Sequence, residues 1–165
     1  MRHLITLFCF LSLQQFAFGQ DIFKKNEIFL ELGGNGLLGS VNYSRQLTNK
    51  PALELRVGLG AYGSDPKTYV TVPVALNYII NVGGKHGFLN VGIGGTYTKA
   101  DVRLGILIDY AEGYEKTRSQ PVNMVANVGY RYYTSGDFSF RVNFTPVINR
   151  HGLLPLLGLS VGKRF

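Results

Sequence analysis

Cysteine is almost absent from this sequence. The single thiol, Cys9, lies in an apolar stretch near the N-terminus that we expect to be removed during export. Leu7 and Phe8 precede it where a lipoprotein signal would carry small residues, so Cys9 is not predicted to be acylated. The mature protein is therefore expected to have no disulfide bond and no thiol for catalysis or metal binding.

Charged residues are also scarce, and tryptophan is missing altogether. Asp, Glu, Lys and Arg make up 16% of the chain, whereas a soluble domain averages about 25%. The sequence has instead 21 glycines, 11 phenylalanines and 10 tyrosines, with a formal net charge of +7. This composition favours a protein whose surface is not exposed to water alone.

The first residues have the pattern of a secretory signal peptide. Arg2 precedes the uncharged run 4–13, and Ala17 and Gly19 supply the small residues of a cleavage site. We predict that residues 1–19 are removed and that residues 20–165 form one domain. The alternative is an N-terminal membrane anchor. The apolar run of about ten residues is short for a helix that spans a bilayer.

The mature chain is predicted to be all-β. Apolar and polar residues alternate from Glu27 onward in segments that are bounded by turn residues, as β-strands require. Eight strands are expected: Glu27–Gly34, Leu38–Leu47, Ala52–Tyr62, Tyr69–Ile80, Phe88–Thr98, Pro121–Tyr133, Phe138–Val147 and Pro155–Phe165.

The connections between these strands predict an antiparallel up-and-down barrel. Residues 48–51, 83–87 and 134–137 are compact and rich in turn formers, so they are expected to close hairpins at one end. The connections at the other end include the long segment 99–120. Eight strands are enough to close such a meander into a barrel.

Alternation alone does not say which face of each strand points inward. A soluble barrel buries its apolar face, whereas a membrane barrel turns it towards lipid. Here the apolar face carries large side chains on every strand, which a narrow lumen cannot hold. The polar face is mostly Gly, Ser, Asn and Thr. We therefore predict a transmembrane barrel with the apolar face outward.

Two further patterns favour the same orientation. Aromatic residues of the apolar face gather near the short-turn end, as in an interfacial girdle: Tyr43, Tyr78, Tyr130, Tyr132, Phe138 and Phe165. The last residues, GLSVGKRF, place Leu157, Leu159, Val161 and Phe165 on one face. This run resembles the C-terminal signal of outer-membrane β-barrels, which the barrel-assembly machinery recognises. Lys163 departs from that pattern.

The whole mature chain is similar to small eight-stranded outer-membrane proteins of the OmpA/OmpX type. The resemblance implies export to the outer membrane of a Gram-negative cell and contact with membrane lipid and lipopolysaccharide. It also implies short turns in the periplasm and long loops outside the cell. The implied role is structural or adhesive, or binding through the loops. Because eight strands enclose only enough room for side chains, a large pore is disfavoured.

Several charged residues share the inward face and predict a charge network in the lumen. Opposite charges can neutralise one another there through hydrogen-bonded pairs. Arg164 is expected beside Glu27 across the closing seam of the barrel. The network is interpreted as structural, with a gated or proton-conducting path as the alternative. Its members are Glu27, Glu31, Glu54, Arg56, Arg131, Arg141 and Arg164.

Residues that point to enzymatic chemistry are few. His86 lies in a short turn and is expected to be solvated, whereas His151 is at the long-loop end, where a lipid A hydrolase would act. His151 is the only catalytic candidate, and Leu153 occupies the place of the serine in the His-x-Ser pair of such hydrolases. No cofactor, metal or nucleic acid is predicted.

Three readings of function therefore stay open. The first is an outer-membrane barrel with a filled lumen and a structural, adhesive or loop-mediated binding role. Segment 99–120 could bind an extracellular ligand, since loops of this length are often functional. The second is a barrel hydrolase that modifies lipid A through His151. The third is a secreted soluble barrel that binds an apolar ligand in its interior.

Overall fold

The computed structural model describes residues 24–50, 52–64, 67–84, 86–100, 102, 108–109, 121–149 and 152–165. Within these ranges the chain is almost entirely β-structure. No α-helix in this part of the chain is long and apolar enough to cross a bilayer.

Eight antiparallel strands form the barrel. In chain order they are β1 (Asn26–Gly33), β2 (Gly39–Gln46), β3 (Leu53–Ser64), β4 (Lys67–Gly83), β5 (Gly87–Thr98), β6 (Val122–Tyr133), β7 (Phe138–Asn149) and β8 (Gly152–Arg164). Each strand pairs with the next, and β8 pairs with β1. The predicted fold, a closed up-and-down barrel of eight strands, is confirmed.

The seam between β1 and β8 runs over seven residue pairs, from Glu27 opposite Arg164 to Gly33 opposite Gly158. After Gly33 the chain leaves the barrel wall, so residues 152–157 of β8 have no β1 residue beside them. Ile108–Asp109 takes up part of the free edge by pairing with Gly152 and Leu153. Because the two ends of the meander are hydrogen-bonded to each other, the wall has no open edge along the length of β1.

The two faces of the wall are those expected from the alternation. Leu30, Leu59 and Phe140 are at least half exposed, although each lies on a strand that is paired on both sides. Their neighbours on the other face, such as Glu31 and Arg141, are almost fully buried. The apolar side chains therefore cover the outside of the barrel. This geometry excludes the soluble barrel, which requires them in the interior.

The aromatic residues predicted as a girdle all lie outward at the short-turn end. Tyr43, Tyr78, Tyr130, Tyr132, Phe138 and Phe165 are each at least about a third exposed. They are carried by β2, β4, β6, β7 and the residue that follows β8. Phenolic and phenyl rings at this level match the depth at which aromatic side chains meet lipid headgroups.

The connections at the other end are shorter than the sequence suggested. Only residues 65–66 separate β3 from β4, and only residues 150–151 separate β7 from β8. The pairs Gly63–Thr68 and Ser64–Lys67 continue the β3–β4 ladder up to the rim. Of the four connections at this end, 99–121 alone is long.

Two prolines interrupt the ladders of the wall. Near Pro73, two β3–β4 pairs are missing between Val57–Val74 and Gly60–Thr71, and the register is the same on both sides. Near Pro146, two β6–β7 pairs are missing between Val125–Val147 and Val128–Phe144 in the same way. Proline has no N–H to donate, so it is tolerated in a sheet only where a ladder is irregular.

Candidate functional site: the charged barrel interior

The barrel interior is filled by layers of side chains. At the short-turn end, Ile79, Phe88 and Tyr133 form an apolar lower cluster. Above it lies a charged layer with carboxylates from β1 and β3 and guanidinium groups from β3, β6 and β7. Residues 34–37 fold inward above the charged layer, and we call this segment the plug. An apolar upper cluster, which includes Leu37, Tyr62, Val125, Val147 and Leu154, fills the other end.

Glu54 and Arg131 form the pair at the centre of the charged layer. Arg131 donates two hydrogen bonds to the carboxylate, from Nη1 to Oε2 at 2.6 Å and from Nη2 to Oε1 at 2.8 Å. Asn77 and Gln46 also donate to Glu54, at 3.1 and 3.2 Å. Both charged groups are almost completely buried. A bidentate geometry with further donors is what a buried ion pair needs to offset its loss of hydration.

Glu27 and Arg141 form a second buried pair next to the first. Arg141 contacts the Glu27 carboxylate, and Ser139 donates a hydrogen bond to the same group. The two pairs are coupled, since Arg141 Nη1 lies 3.8 Å from Glu54 Oε1 and Arg131 Nη1 lies 3.9 Å from Glu27 Oε2. The four residues therefore form one cluster of alternating charge.

Glu31 and Arg56 form the third pair, on the side of the plug. Arg56 contacts Glu31 through both terminal nitrogens, with Nη1 3.1 Å from Oε1. The Nε of Arg56 donates to Asn42 Oδ1 at 3.1 Å. With this pair the layer contains three carboxylates and three guanidinium groups, so its formal charge is balanced.

The ring of Phe29 lies between the pairs. The guanidinium carbon of Arg141 is 3.9 Å from the ring centroid, and that of Arg56 is 4.9 Å away. A cation near an aromatic face is attracted by the ring quadrupole. Phe29 thus separates two like charges while it contacts both. The sequence prediction did not include Phe29, although its parity, between Glu27 and Glu31, marks it as inward.

Arg164 lies at the lower end of the interior. It is opposite Glu27 in the strand register, as the sequence suggested. Its side chain contacts Asp137, with Nη2 3.3 Å from Oδ1, and lies 3.9 Å from the centroid of the Tyr133 ring. Glu27 is contacted by Arg141.

Asp137 connects the lower turn to the N-terminal segment. Lys24 donates a hydrogen bond to its carboxylate, and this bond lowers the pKa of Asp137, with further lowering from the charges of Lys24 and Arg164. Asp137 has a φ of 65°, a conformation that Asp and Asn tolerate better than most residues.

Asparagines lie opposite glycines on the inward face of the wall. Asn77 and Asn127 flank Gly92 on the two neighbouring strands, and Asn90 and Asn143 flank Gly129 in the same way. A Cβ atom on either glycine would overlap the amide of its asparagine neighbour. The many strand glycines therefore provide the space in which the asparagine side chains lie in a narrow interior.

The plug is hydrogen-bonded to two neighbouring strands of the wall, β4 and β5. Thr96 donates a hydrogen bond to the carbonyl oxygen of Asn35 at 2.6 Å, and Thr71 donates to that of Gly36 at 3.1 Å. Leu37 reaches the upper cluster with a φ of 74°, which is strained for a residue with a Cβ atom. The sequence predicted only a connection here and gave no sign that it folds inward.

The start of the long segment covers the upper end of the interior. Ala100 and Val102 belong to the upper cluster, and Asn149 donates a hydrogen bond to the carbonyl oxygen of Val102 at 3.0 Å. The inward side chains of the described residues are thus closed over at both ends by apolar groups.

His86 and the acidic side chains are the described groups that bear on chemistry at this site. His86, expected to be solvated, is half-buried, and its Nδ1 lies 2.7 Å from the carbonyl oxygen of Tyr133. Among the described residues, no group of three or more His, Cys, Asp or Glu side chains is arranged to hold a metal ion. His151, residues 1–19 and most of segment 99–120 lie outside the described residues.

The comparisons with known proteins concern the fold. No family model and no curated protein matches the sequence. Among solved structures, the N-terminal β-barrel domain of OprF from Pseudomonas aeruginosa matches with a TM-score of 0.58 and 19% identity, over 86% of this chain and 96% of that one. The chain has the fold of small eight-stranded outer-membrane barrels.

Two further structures support the same fold. The outer membrane protein Ail from Yersinia pestis, solved in a phospholipid bilayer nanodisc, has a TM-score of 0.56 and 12% identity, over 87% of this chain and 100% of that one. A de novo designed transmembrane β-barrel has a TM-score of 0.54 and 14% identity, over 86% and 96%. The apolar outer wall of this chain is what a barrel of this fold needs where it faces lipid.

Proposed function

We propose that the protein is an integral outer-membrane barrel with a structural, adhesive or loop-mediated binding role and without a large pore. The observation that carries the proposal is the contrast between the two faces of the wall. Leu59 and Phe140 are exposed on the outside, whereas the interior is packed with paired charges. Such an outer surface is favourable only against lipid.

The direction of insertion is part of the proposal. Residues 1–19 would be removed after export, with the short turns in the periplasm and segment 99–120 outside the cell. The barrel-assembly machinery would recognise the outward residues Leu157, Leu159, Val161 and Phe165 of the last strand. The similarity of the fold to outer-membrane barrels supports this arrangement.

Segment 99–120 is the part proposed to meet an extracellular ligand or lipopolysaccharide. Its two described attachments, Val102 to Asn149 and Ile108–Asp109 to β8, hold it against the rim of the barrel. A segment fastened in this way loses less conformational entropy on binding than a free loop.

Cell fractionation tests the proposed location. The protein is expected in detergent-extracted outer membranes, with a gel mobility that shifts when the sample is boiled. Trypsin added to intact cells is expected to cut within 99–120, which contains Lys99, Arg103, Lys116 and Arg118. Cleavage there only after the membrane is permeabilised would contradict the proposed direction of insertion.

Planar-bilayer recording tests the absence of a large pore. The purified barrel is expected to give no large, steady conductance, because buried ion pairs and the plug occupy the interior. A stable conductance of the size that open porins show would reject this part of the proposal.

A further inference from the structure

Among the described strand residues that face outward, two have charged side chains. They are Arg45 on β2 and Lys163 on β8. Both are cations, both lie at the short-turn end, and both belong to the strands that flank β1. The outward residues between and above them are apolar, aromatic or uncharged.

The strand register places the two cations close together. Lys163 is opposite Ile28 of β1, Ile28 is opposite Tyr43 of β2, and Arg45 is two residues further along β2. With neighbouring strands about 5 Å apart and about 7 Å per two residues, their Cα atoms lie on the order of 12 Å apart. The flexible side chains of arginine and lysine can span that gap from both sides.

Polar donors lie between the two cations. The Tyr43 hydroxyl donates a hydrogen bond to Asn26 Oδ1 at 2.7 Å, which leaves the amide NH₂ of Asn26 available to an acceptor. Asn26 is directly opposite Arg45 in the register. A patch with two cations and an amide donor is suited to an anion with several oxygen acceptors.

Three other basic groups described at this end have partners of their own. Lys24 and Arg164 contact Asp137, and Lys25 donates a hydrogen bond to Asn49. The guanidinium group of Arg45 has no hydrogen bond or ion pair with any described residue. Lys163 lies 5.2 Å from the centroid of the Phe138 ring, and its charge also acts on Asp137. Lys50, in the β2–β3 turn, is also exposed and adds positive potential.

We propose that Arg45, Lys163 and Asn26 form a binding site for the phosphate of an anionic phospholipid in the leaflet at the short-turn end. The site lies at the level of the aromatic girdle, where headgroup phosphates meet the wall. Charge complementarity selects an anionic headgroup over a zwitterionic one, whose own ammonium group would face the two cations. The inference rests on the proposed membrane insertion and adds a lipid preference to it.

Because the chain has no tryptophan, a single introduced one reports on its immediate surroundings. Ile28→Trp places the probe between Lys163 and Tyr43, and Tyr130→Trp places a control probe on β6, at the same end of the barrel. Each variant is reconstituted into vesicles of phosphatidylcholine and phosphatidylglycerol in equal amounts. One lipid at a time carries brominated chains, which quench tryptophan fluorescence.

In the Ile28→Trp variant, brominated phosphatidylglycerol is expected to quench the tryptophan more strongly than brominated phosphatidylcholine does. The ratio of the two quenching efficiencies is expected to be roughly two- to fivefold. The Tyr130→Trp probe is expected to show little preference. Combining Ile28→Trp with Arg45→Gln and Lys163→Gln is expected to remove the preference, and salt is expected to weaken it. Lys67→Gln with Lys99→Gln, which removes equal charge at the other end, is expected to leave it unchanged.

The failure of this inference is distinguishable from the failure of the proposed function. A chain that does not insert into vesicles, judged by its gel mobility before boiling, would contradict the membrane barrel itself. A barrel that inserts but shows equal quenching by the two lipids at Ile28→Trp would overturn the lipid site. A preference that survives the loss of Arg45 and Lys163 would overturn it as well. Arg45→Lys, which keeps the charge, is expected to retain most of the preference.

Discussion

At the scale of single residues, Glu54 is the most heavily contacted acid of the interior. It accepts hydrogen bonds from Arg131, Asn77 and Gln46. Glu54→Gln keeps the shape of the side chain but leaves Arg131 without its counter-charge. We expect the free energy of unfolding to fall by about 3–5 kcal/mol, the usual cost of breaking a buried ion pair. Urea titration of the barrel in lipid vesicles, followed by gel mobility, measures the loss.

The matched control removes both charges. Glu54→Gln together with Arg131→Met is expected to be more stable than Glu54→Gln alone, because no unpaired charge is left in the interior. If the double variant is no more stable than the single one, the loss comes from packing and not from the uncompensated guanidinium group.

The strand glycines give a second prediction at this scale. Gly92 points inward between Asn77 and Asn127, whereas Gly95, on the same strand, points outward between Val74 and Met124. Gly92→Ala is expected to lower the unfolding free energy by about 1–3 kcal/mol, because its methyl group overlaps buried amide and backbone atoms. Gly95→Ala is expected to lower it less. The nearest atom to a Cβ there is Val122 Cγ1 at 3.3 Å, which belongs to an exposed outward side chain that can shift slightly.

The same titration compares the two glycine variants directly. An equal loss at both positions would mean that strand glycines matter through backbone flexibility and not through the space they leave for asparagines. The inward positions of glycine and asparagine were evident from the alternation in the sequence. Their pairing across strands was not, because it depends on a register that the sequence does not state.

At the scale of elements, the plug depends on hydrogen bonds from the wall. Thr96→Val removes the donor to the Asn35 carbonyl while it nearly keeps the side-chain volume. We expect faster hydrogen exchange of the backbone amides of residues 34–37 and a loss of about 1 kcal/mol in unfolding free energy. Mass spectrometry of exchanged peptides locates the effect.

Thr145→Val is the matched control for this change. Thr145 is also inward and buried, but its hydroxyl has no hydrogen-bond partner among the described residues. Its replacement is expected to leave exchange in the plug unaltered and to be neutral or slightly stabilising, because a buried polar group is removed. Equal acceleration of the plug amides in both variants would contradict a specific role of Thr96.

Strands were more predictable from the sequence than connections. The alternation located all eight strands, since one face must meet lipid and the other a crowded interior. It gave no information on the plug, because Leu37 adopts its strained backbone only through contacts with the upper cluster. The contacts of Glu27 with Arg141 and of Arg164 with Asp137 were not predicted from the strand register either. Side chains from several strands meet in the interior, so contacts form between residues that are not opposite each other in the sheet.

At the scale of the whole molecule, the contacts of Asp137 tie the lower turn to the N-terminal segment and β8. Because its pKa is lowered in the folded state, the stabilisation is fully present above the unfolded value of 3.8 and is lost as the pH falls through the lower folded value. We expect this contribution to be under about 1 kcal/mol, because solvent screens the pairs.

Asp137→Asn tests this dependence, since asparagine also tolerates the positive φ. The variant is expected to be slightly less stable than the native chain at pH 6 and to approach it below pH 3.8. Unfolding titrations at several pH values measure the difference. A difference that stays constant down to about pH 2 would show that the turn geometry, and not the charge, is responsible.

The seam between β1 and β8 has a consequence for the order of assembly. Glu27 and Glu31 come from the first strand, whereas Arg141, the partner of Glu27, comes from β7. A sheet that has not yet closed therefore holds this arginine far from its counter-charge, which is still at the opposite edge. The closure of the barrel is therefore the step that forms this ion pair.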